Sequence, residues 1–309
     1  MTSGGIPLGR FAPTPSGRMH PGNLFTALLA WLSARSAGGE VLLRIEDLDT
    51  LRCPAENSAV LKDDLLWLGL TWDREQPPQS QRTAYYEDVL DRLERTGRVF
   101  PCWCTRGDLK NAPNAPHASD GHPIYPGTCR DLTPAQRAQK NAPPLWRLQV
   151  PDEVVSFRDG HYGFQEENLA KECGDFILRR ADGVFAYQLA VVADDMDAGV
   201  TQVVRGRDLL SSTPRQLYLY RLLGAPEPQY WHVPMLTAPD GRRLSKRERD
   251  LDLGVLRGRF RPEELLGLLA GAAGLLPQPE PCTARELIPL FSWDRIPRED
   301  IPFSLPPEG

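Results

Sequence analysis

The sequence predicts an α/β fold of Rossmann type, a parallel nucleotide-binding sheet whose two halves are split by an insertion. Three observations carry the prediction. An extended segment, Leu8–Ala12, turns through Pro13, Pro15 and Gly17 into an apolar helical run from Leu24 to about Ser36. A strand pattern, Glu40–Ile45, follows at once and ends in Glu46-Asp47. The same αβ rhythm returns far downstream as Gln202–Arg205, Ser212–Leu223 and Tyr230–Leu236, after a stretch of different composition.

The first turn is the richest. Gly22 lets a ligand approach the backbone, and Asn23 is placed to cap the helix that follows. His20 stands just before that cap, so a donor side chain and free N–H groups converge where a phosphate would sit. Strand, turn, helix and strand in this order put a ligand at the strand ends. A His-x-Gly signal alone also fits a tight turn into a core helix.

Helical patterns continue over Cys53–Leu68 and Ala84–Thr96. Val99-Phe100 opens an excursion that lasts to about Cys173. Within it, residues 111–127 read as loop, Thr133-Pro134 starts a short helix, and residues 145–159 alternate as strand. Residues 176–187 alternate in the same way. Pro239–Arg247 is a turn followed by a basic loop with a Leu-Ser-Lys core, Leu244-Ser245-Lys246. About 60 residues remain after it: an amphipathic helix at Pro262–Leu276, a Thr-x-x-Glu capping box at Thr283–Glu286 opening another, and a proline-rich tail from Pro297. The expected organisation is 1–99, first half of the nucleotide fold; 100–173, insertion; 174–250, second half with the basic loop; and 251–309, a short helical region.

The insertion carries a metal signal. Cys102 and Cys104 point to one side of an extended segment, and Cys129 lies 25 residues further on. Zinc takes four ligands, usually Cys or His, so a fourth is needed; His117 and His122 are generic candidates. Cys53, Cys173 and Cys282 have no such spacing and are expected to be core or incidental.

Composition sets bounds. With 41% hydrophobic residues the chain can bury a sizeable core. No apolar run approaches a membrane span and Met1–Leu8 has no signal-peptide core, so the cytoplasm is the expected compartment, without disulfides. A net charge of −5 does not advertise a nucleic-acid binder, yet Arg242, Arg243, Lys246, Arg247 and Arg249, with Arg257, Arg259 and Arg261 behind, offer a local basic face. Walker A and Gly-x-Gly-x-x-Gly patterns are absent from the sequence.

His20-Pro21-Gly22-Asn23 followed at this distance by Leu244-Ser245-Lys246 resembles the paired signatures of class I aminoacyl-tRNA synthetases, in which the first binds ATP and the second closes on its phosphates. Arg10–Thr14, Arg44–Asp49, Tyr187–Ala190, Asp194-Asp195 and Val204–Leu209 narrow the resemblance to the glutamate branch, over roughly residues 8 to 260. It implies a class I synthetase catalytic domain with a zinc-containing insertion. The residues after the basic loop are too few for an anticodon-binding domain. That implies the truncated paralogues, which activate L-glutamate with ATP, without tRNA, and place it on queuosine in tRNA(Asp). A shortened enzyme charging a tRNA 3′ end is the rival within the family.

The resemblance implies roles residue by residue. His20, Gly22, Asn23 and Lys246 would bind ATP, His20 and Lys246 being catalytic. Arg10, Phe11, Ala12, Pro13, Thr14, Glu46, Tyr187 and Arg205 would bind glutamate. Within that set, Arg205 would reach a carboxylate through its planar fork and Glu46 would take the ammonium. Val191 stands where full-length glutamyl-tRNA synthetases carry a polar residue, a hint of an altered pocket. Tyr125 would complete Cys102, Cys104 and Cys129 around one structural Zn2+. ATP would bring Mg2+, the chain would act as a monomer, and no membrane would be involved. Two further readings stay open: another adenylate-forming or nucleotidyl-transferring enzyme on this fold, and a non-catalytic RNA-binding module.

Overall fold

The computed structural model describes residues 5–110, 124–242, 244 and 252–306. Lys246, the other residues of the basic loop apart from Arg242 and Leu244, and His117 and His122 lie outside the described residues.

Elements follow in chain order: β1 (Leu8–Phe11), α1 (Pro21–Ser36), β2 (Glu40–Leu43), α2 (Ala55–Trp67), β3 (Arg74–Glu75), α3 (Thr83–Glu94) and β4 (Val99–Cys102). The insertion continues with α4 (Arg106–Lys110), α5 (Pro134–Ala138), β5 (Leu145–Leu148), β6 (Val154–Asp159), β7 (Gly163–Asn168), α6 (Leu169–Glu172) and β8 (Phe176–Arg179). Then come α7 (Tyr187–Ala198), β9 (Gln202–Gly206), α8 (Thr213–Leu223), β10 (Gln229–Val233), β11 (Leu236–Thr237), α9 (Leu253–Arg259), α10 (Pro262–Ala272) and β12 (Ile301–Pro302).

The central sheet is parallel, in the order β10-β9-β1-β2-β3. From β1 the chain crosses through α1 to β2 on one side; from β9 it crosses through α8 to β10 on the other. The order therefore reverses between β1 and β9, and a crevice opens beyond their carboxyl ends. Arg10 and Phe11 end β1; Arg205 and Gly206 end β9.

One apolar core packs α1, α10 and the C-terminal segment against a face of the sheet, with Leu24, Phe25, Leu28 and Leu32 fully buried. The other face is covered by α3, α7 and α8 together with the insertion. Val191 sits in this second core, not in the crevice, so it says nothing about a pocket. The insertion builds its own antiparallel sheet, β4-β5-β8, and a β6–β7 hairpin.

Several expectations are corrected. Residues 176–187 are not one strand. Asp182-Gly183 makes a turn, with Gly183 at φ +87° and Arg180 N–H donating to Val184 C=O at 2.8 Å, and Tyr187 then opens α7. Pairing of β8 with β5 also carries the insertion's sheet past Cys173. The strand expected at Tyr230–Leu236 breaks after Val233, and β11 pairs instead with β12 in the tail. The Thr283–Glu286 box forms, Thr283 N–H donating to Glu286 at 2.8 Å, but it heads a turn and a 3-10 segment at Ile288–Leu290, since Pro289 interrupts a longer helix.

Candidate active site

A cleft of about 410 Å³ lies at the carboxyl ends of β1 and β9. Arg10, Phe11, Ala12, Pro13, Thr14, His20, Gly22, Asn23, Glu46, Tyr187 and Arg205 all line it. Eleven residues spread over 196 positions are thus brought to one place by the sheet order. Ser16, Gly17, Thr26, Asp208 and Met235 join them, none of them given a binding role from the sequence.

The turn into α1 differs in detail from its expected form. Pro21 presets φ for the first helical residue, so the helix begins there and His20, not Asn23, is the N-cap. Its Nδ1 accepts from Gly22 N–H at 3.1 Å, while Asn23 returns its side-chain oxygen to His20 N–H at 3.3 Å. A Cβ on Gly22 would stand 2.9 Å from His20 Cε1, so glycine makes room for the ring. Pro21 has no N–H, Gly22 N–H is taken by the ring, and Asn23 N–H bonds His20 C=O at 2.9 Å. The free N–H groups expected here are therefore engaged. With Nδ1 accepting from Gly22, a neutral His20 ring carries its proton on Nε2, and the helix dipole acts at the same end.

Beneath the cleft lies a buried ionic network. Arg44, wholly buried, donates to Asp195 at 2.5 Å and to Glu46 Oε1 at 3.1 Å, and stands 3.6 Å from Asp194. Asp194 also accepts from Gln79, Arg82 and Tyr86 at 2.7–3.0 Å. Arg10 touches Asp195 and Val204 C=O, both at a long 3.4 Å. Burial pushes the Glu46 carboxyl above its ordinary range despite Arg44 and Arg10. A further cation beside Glu46 would relieve that strain, which is what a ligand ammonium supplies. Burial likewise raises the Tyr187 phenol, with Arg205 pulling the other way.

Arg205 is more committed than its planar fork suggested. Its Nε donates to His232 Nε2 at 3.0 Å, Nη1 to Gln216 at 2.8 Å, and Nη2 to Thr213 Oγ1 at 2.9 Å and Leu209 C=O at 3.2 Å. Tyr230 stacks beneath it at 5.0 Å. Those bonds use both Nη2 hydrogens, so the two-pronged grip gives way to a single Nη1 N–H for a ligand.

The basic face is thinner than expected. Arg257 turns inward to Asp63 and Asp64, the latter at 2.9 Å, Arg261 pairs with Glu264 at 3.2 Å, and Arg259 donates to Pro306 C=O.

In the insertion, Cys102, Cys104 and Cys129 converge, their sulfurs within 4.8 Å of one another. Cys104 and Cys129 are 3.7 Å apart, and Cys102 donates to Tyr125 Oη at 3.4 Å. Tetrahedral zinc with Zn–S near 2.3 Å separates its sulfur ligands by about 3.8 Å, so the donor set fits. Burial, with Cys102 and Cys129 adjoining, pushes the Cys104 thiol up to about 12. A divalent cation among the sulfurs would reverse that. Arg147 stacks 4.2 Å over the Tyr125 ring and fixes it. Cys53 and Cys282 are buried, and Cys173 is half-buried.

A family model described as class I tRNA synthetases (E and Q), catalytic domain, matches residues 8–266. The glutamyl-Q tRNA(Asp) synthetase of Symbiobacterium thermophilum is 49% identical, covering 95% of this chain and 94% of its own. That of Nitratidesulfovibrio vulgaris is 48% identical, covering 94% and 93%. Among solved structures, a glutamate tRNA ligase from Elizabethkingia meningosepticum, in complex with its amino acid, superposes with a TM-score of 0.83 at 24% identity, over 97% of this chain and 67% of its own. That last likeness speaks for the fold.

Proposed function

The chain belongs to the class I tRNA synthetases of the glutamate and glutamine type, in the branch named glutamyl-Q tRNA(Asp) synthetase, and on that footing we propose that it activates L-glutamate with ATP, without tRNA, and transfers it to queuosine in tRNA(Asp). It is a ligase of the aminoacyl-tRNA synthetase type. The observation that carries the reading is the meeting of Arg10, Glu46, Tyr187 and Arg205 with His20 around one cleft.

In the first step the glutamate α-carboxylate attacks the α-phosphorus of ATP and pyrophosphate leaves. No enzyme nucleophile is needed; the protein positions the partners and neutralises charge. Glu46 holds the ammonium through Oε2, because Oε1 is committed to Arg44. Arg10, with only long bonds of its own, grips one substrate carboxylate, and Arg205 adds its Nη1 N–H. Thr14 and Tyr187 contribute hydroxyls. His20 donates from Nε2 to a phosphate oxygen, and Lys246 stabilises the charge that grows on the α- and β-phosphates. Mg2+ enters with ATP.

In the second step a hydroxyl of the queuosine cyclopentenediol attacks the mixed anhydride and AMP leaves. Cys102, Cys104, Cys129 and Tyr125 hold one Zn2+ that staples the insertion and takes no part in the reaction. The test is transfer of radiolabelled glutamate to tRNA(Asp) prepared with and without queuosine. Label on the modified tRNA alone is expected; label on both, or on a terminal ribose, favours the 3′-charging enzyme.

A further inference from the structure

Arg205 is held from the side away from the cleft by a chain of buried groups. His232, at the end of β10, accepts the Arg205 Nε–H on Nε2 at 3.0 Å. Its Nδ1 meets Asp159 Oδ2 at 2.6 Å, and all three side chains are at least nine-tenths buried. Asp159 closes the β6 strand of the insertion hairpin, and it is fixed in turn by the backbone N–H groups of His161 at 3.0 Å and Tyr162 at 2.8 Å. Gly160 lets the hairpin come this close: a Cβ there would stand 2.1 Å from the Trp231 ring.

The hydrogens are settled by this arrangement. A guanidinium can only donate and a carboxylate only accept, so the imidazole between them must carry its proton on Nδ1 and keep Nε2 bare. A protonated ring would set N–H against N–H at Arg205. Burial and Arg205 keep it neutral, its pKa pushed down to about 4.

We propose that His232 is a positioning residue for amino-acid recognition: locked by Asp159 in the Nδ1–H tautomer, it holds Arg205 by Nε and so aims the remaining Nη1 N–H at the substrate carboxylate. The inference rests on the reading of Arg205 as a glutamate-binding residue. It couples the insertion hairpin to substrate selection, through the Asp159 carboxylate acting by way of His232 and Arg205.

The two nitrogens of His232 can be tested separately. His232→Gln keeps an acceptor near the Nε2 position; His232→Asn keeps a donor near Nδ1 and loses that acceptor. Amino-acid-dependent ATP–pyrophosphate exchange and calorimetric titration with L-glutamate would be measured for both, for Arg205→Ala, and for the Arg205→Ala/His232→Asn double variant. His232→Asn is expected to raise the glutamate KM about tenfold while the ATP KM holds, as a lost charge-assisted hydrogen bond implies, and His232→Gln to recover most of it. The double variant should bind no worse than Arg205→Ala alone.

If Arg205→Ala leaves glutamate binding intact, the reading of the cleft itself fails. If Arg205→Ala weakens glutamate but His232→Asn does not, or if it raises both KM values alike, the positioning role is wrong and the cleft reading stands. Should His232→Asn fail to fold, nitrogen NMR of the histidine-labelled wild type decides. One ring locked as the Nδ1–H tautomer and not titrating down to about pH 5 is expected. Only Nε2–H rings, or all five histidines titrating near their ordinary pKa, would overturn the proposal.

Discussion

Arg44 and Asp195, 151 residues apart in sequence, are joined at 2.5 Å beneath the cleft, and Arg44 extends the link to Glu46 at 3.1 Å. The end of β2 and the helix α7 are thereby tied under the site, so the acid assigned to the substrate ammonium rests on a fixed floor.

Removing Arg44 leaves Asp195, Asp194 and Glu46 buried without their shared cation. Arg44→Ala is expected to lower unfolding stability by about 3–5 kcal/mol, the cost of breaking a buried pair. Urea denaturation measures it. A loss below ~1 kcal/mol would mean that the network contributes little and that Arg82 and Arg10 suffice for the carboxylates.

Lys246 lies outside the described residues, and its role is argued from the motif it shares with the family. Lys246→Ala should slow adenylate formation about 10²- to 10³-fold, as loss of a charge-stabilising donor does, with the glutamate KM within about twofold of wild type. Single-turnover measurements separate the two. An equal loss of glutamate binding would remove the transition-state role.

Zinc should be present at about one ion per chain and leave with prolonged chelation, since Cys102, Cys104 and Cys129 with Tyr125 satisfy its geometry. Chelated protein, or Cys102→Ser, should be cut by trypsin within the insertion while exchange activity survives in the uncut fraction. Metal-free protein with unchanged proteolysis would argue for three buried thiols.

His232 also sets an acid limit. Its pKa is pushed from 6.5 down to about 4, first by burial and then by Arg205, against the pull of Asp159. Between those values the unfolded chain takes up a proton that the folded chain refuses. Its contribution is therefore complete above about pH 6.5 and is lost progressively as pH falls toward 4, on the order of 3 kcal/mol in all. Comparing wild type with His232→Gln cancels the other titrating groups. The stability advantage of wild type should shrink across that window; a constant difference would contradict the assignment.

Much of this site was legible in sequence because it is built from strand ends and a turn. Leu8–Phe11, the His20–Asn23 turn and Gln202–Gly206 each announce themselves locally, and the parallel order of the sheet does the gathering. What escaped is long-range or hidden in ordinary patterns. His232 sits in a strand between Trp231 and Val233 and reads as one more alternating residue, while its partner Asp159 is 73 positions away. Asn is the commoner helix cap, so His20 in that role is visible only once its Nδ1 is seen on Gly22. Tyr187 closes the alternation of residues 176–187 and so reads as a strand residue; the Asp182-Gly183 turn decides otherwise.

The central claim is that this cleft activates glutamate by itself. Purified protein, ATP, Mg2+ and labelled pyrophosphate, with L-glutamate and no tRNA, tests it most directly, with L-glutamine and L-aspartate as controls. Exchange with glutamate alone is predicted. Exchange that appears only when tRNA is added would contradict tRNA-independent activation, and no exchange under either condition would point to a non-catalytic RNA-binding module.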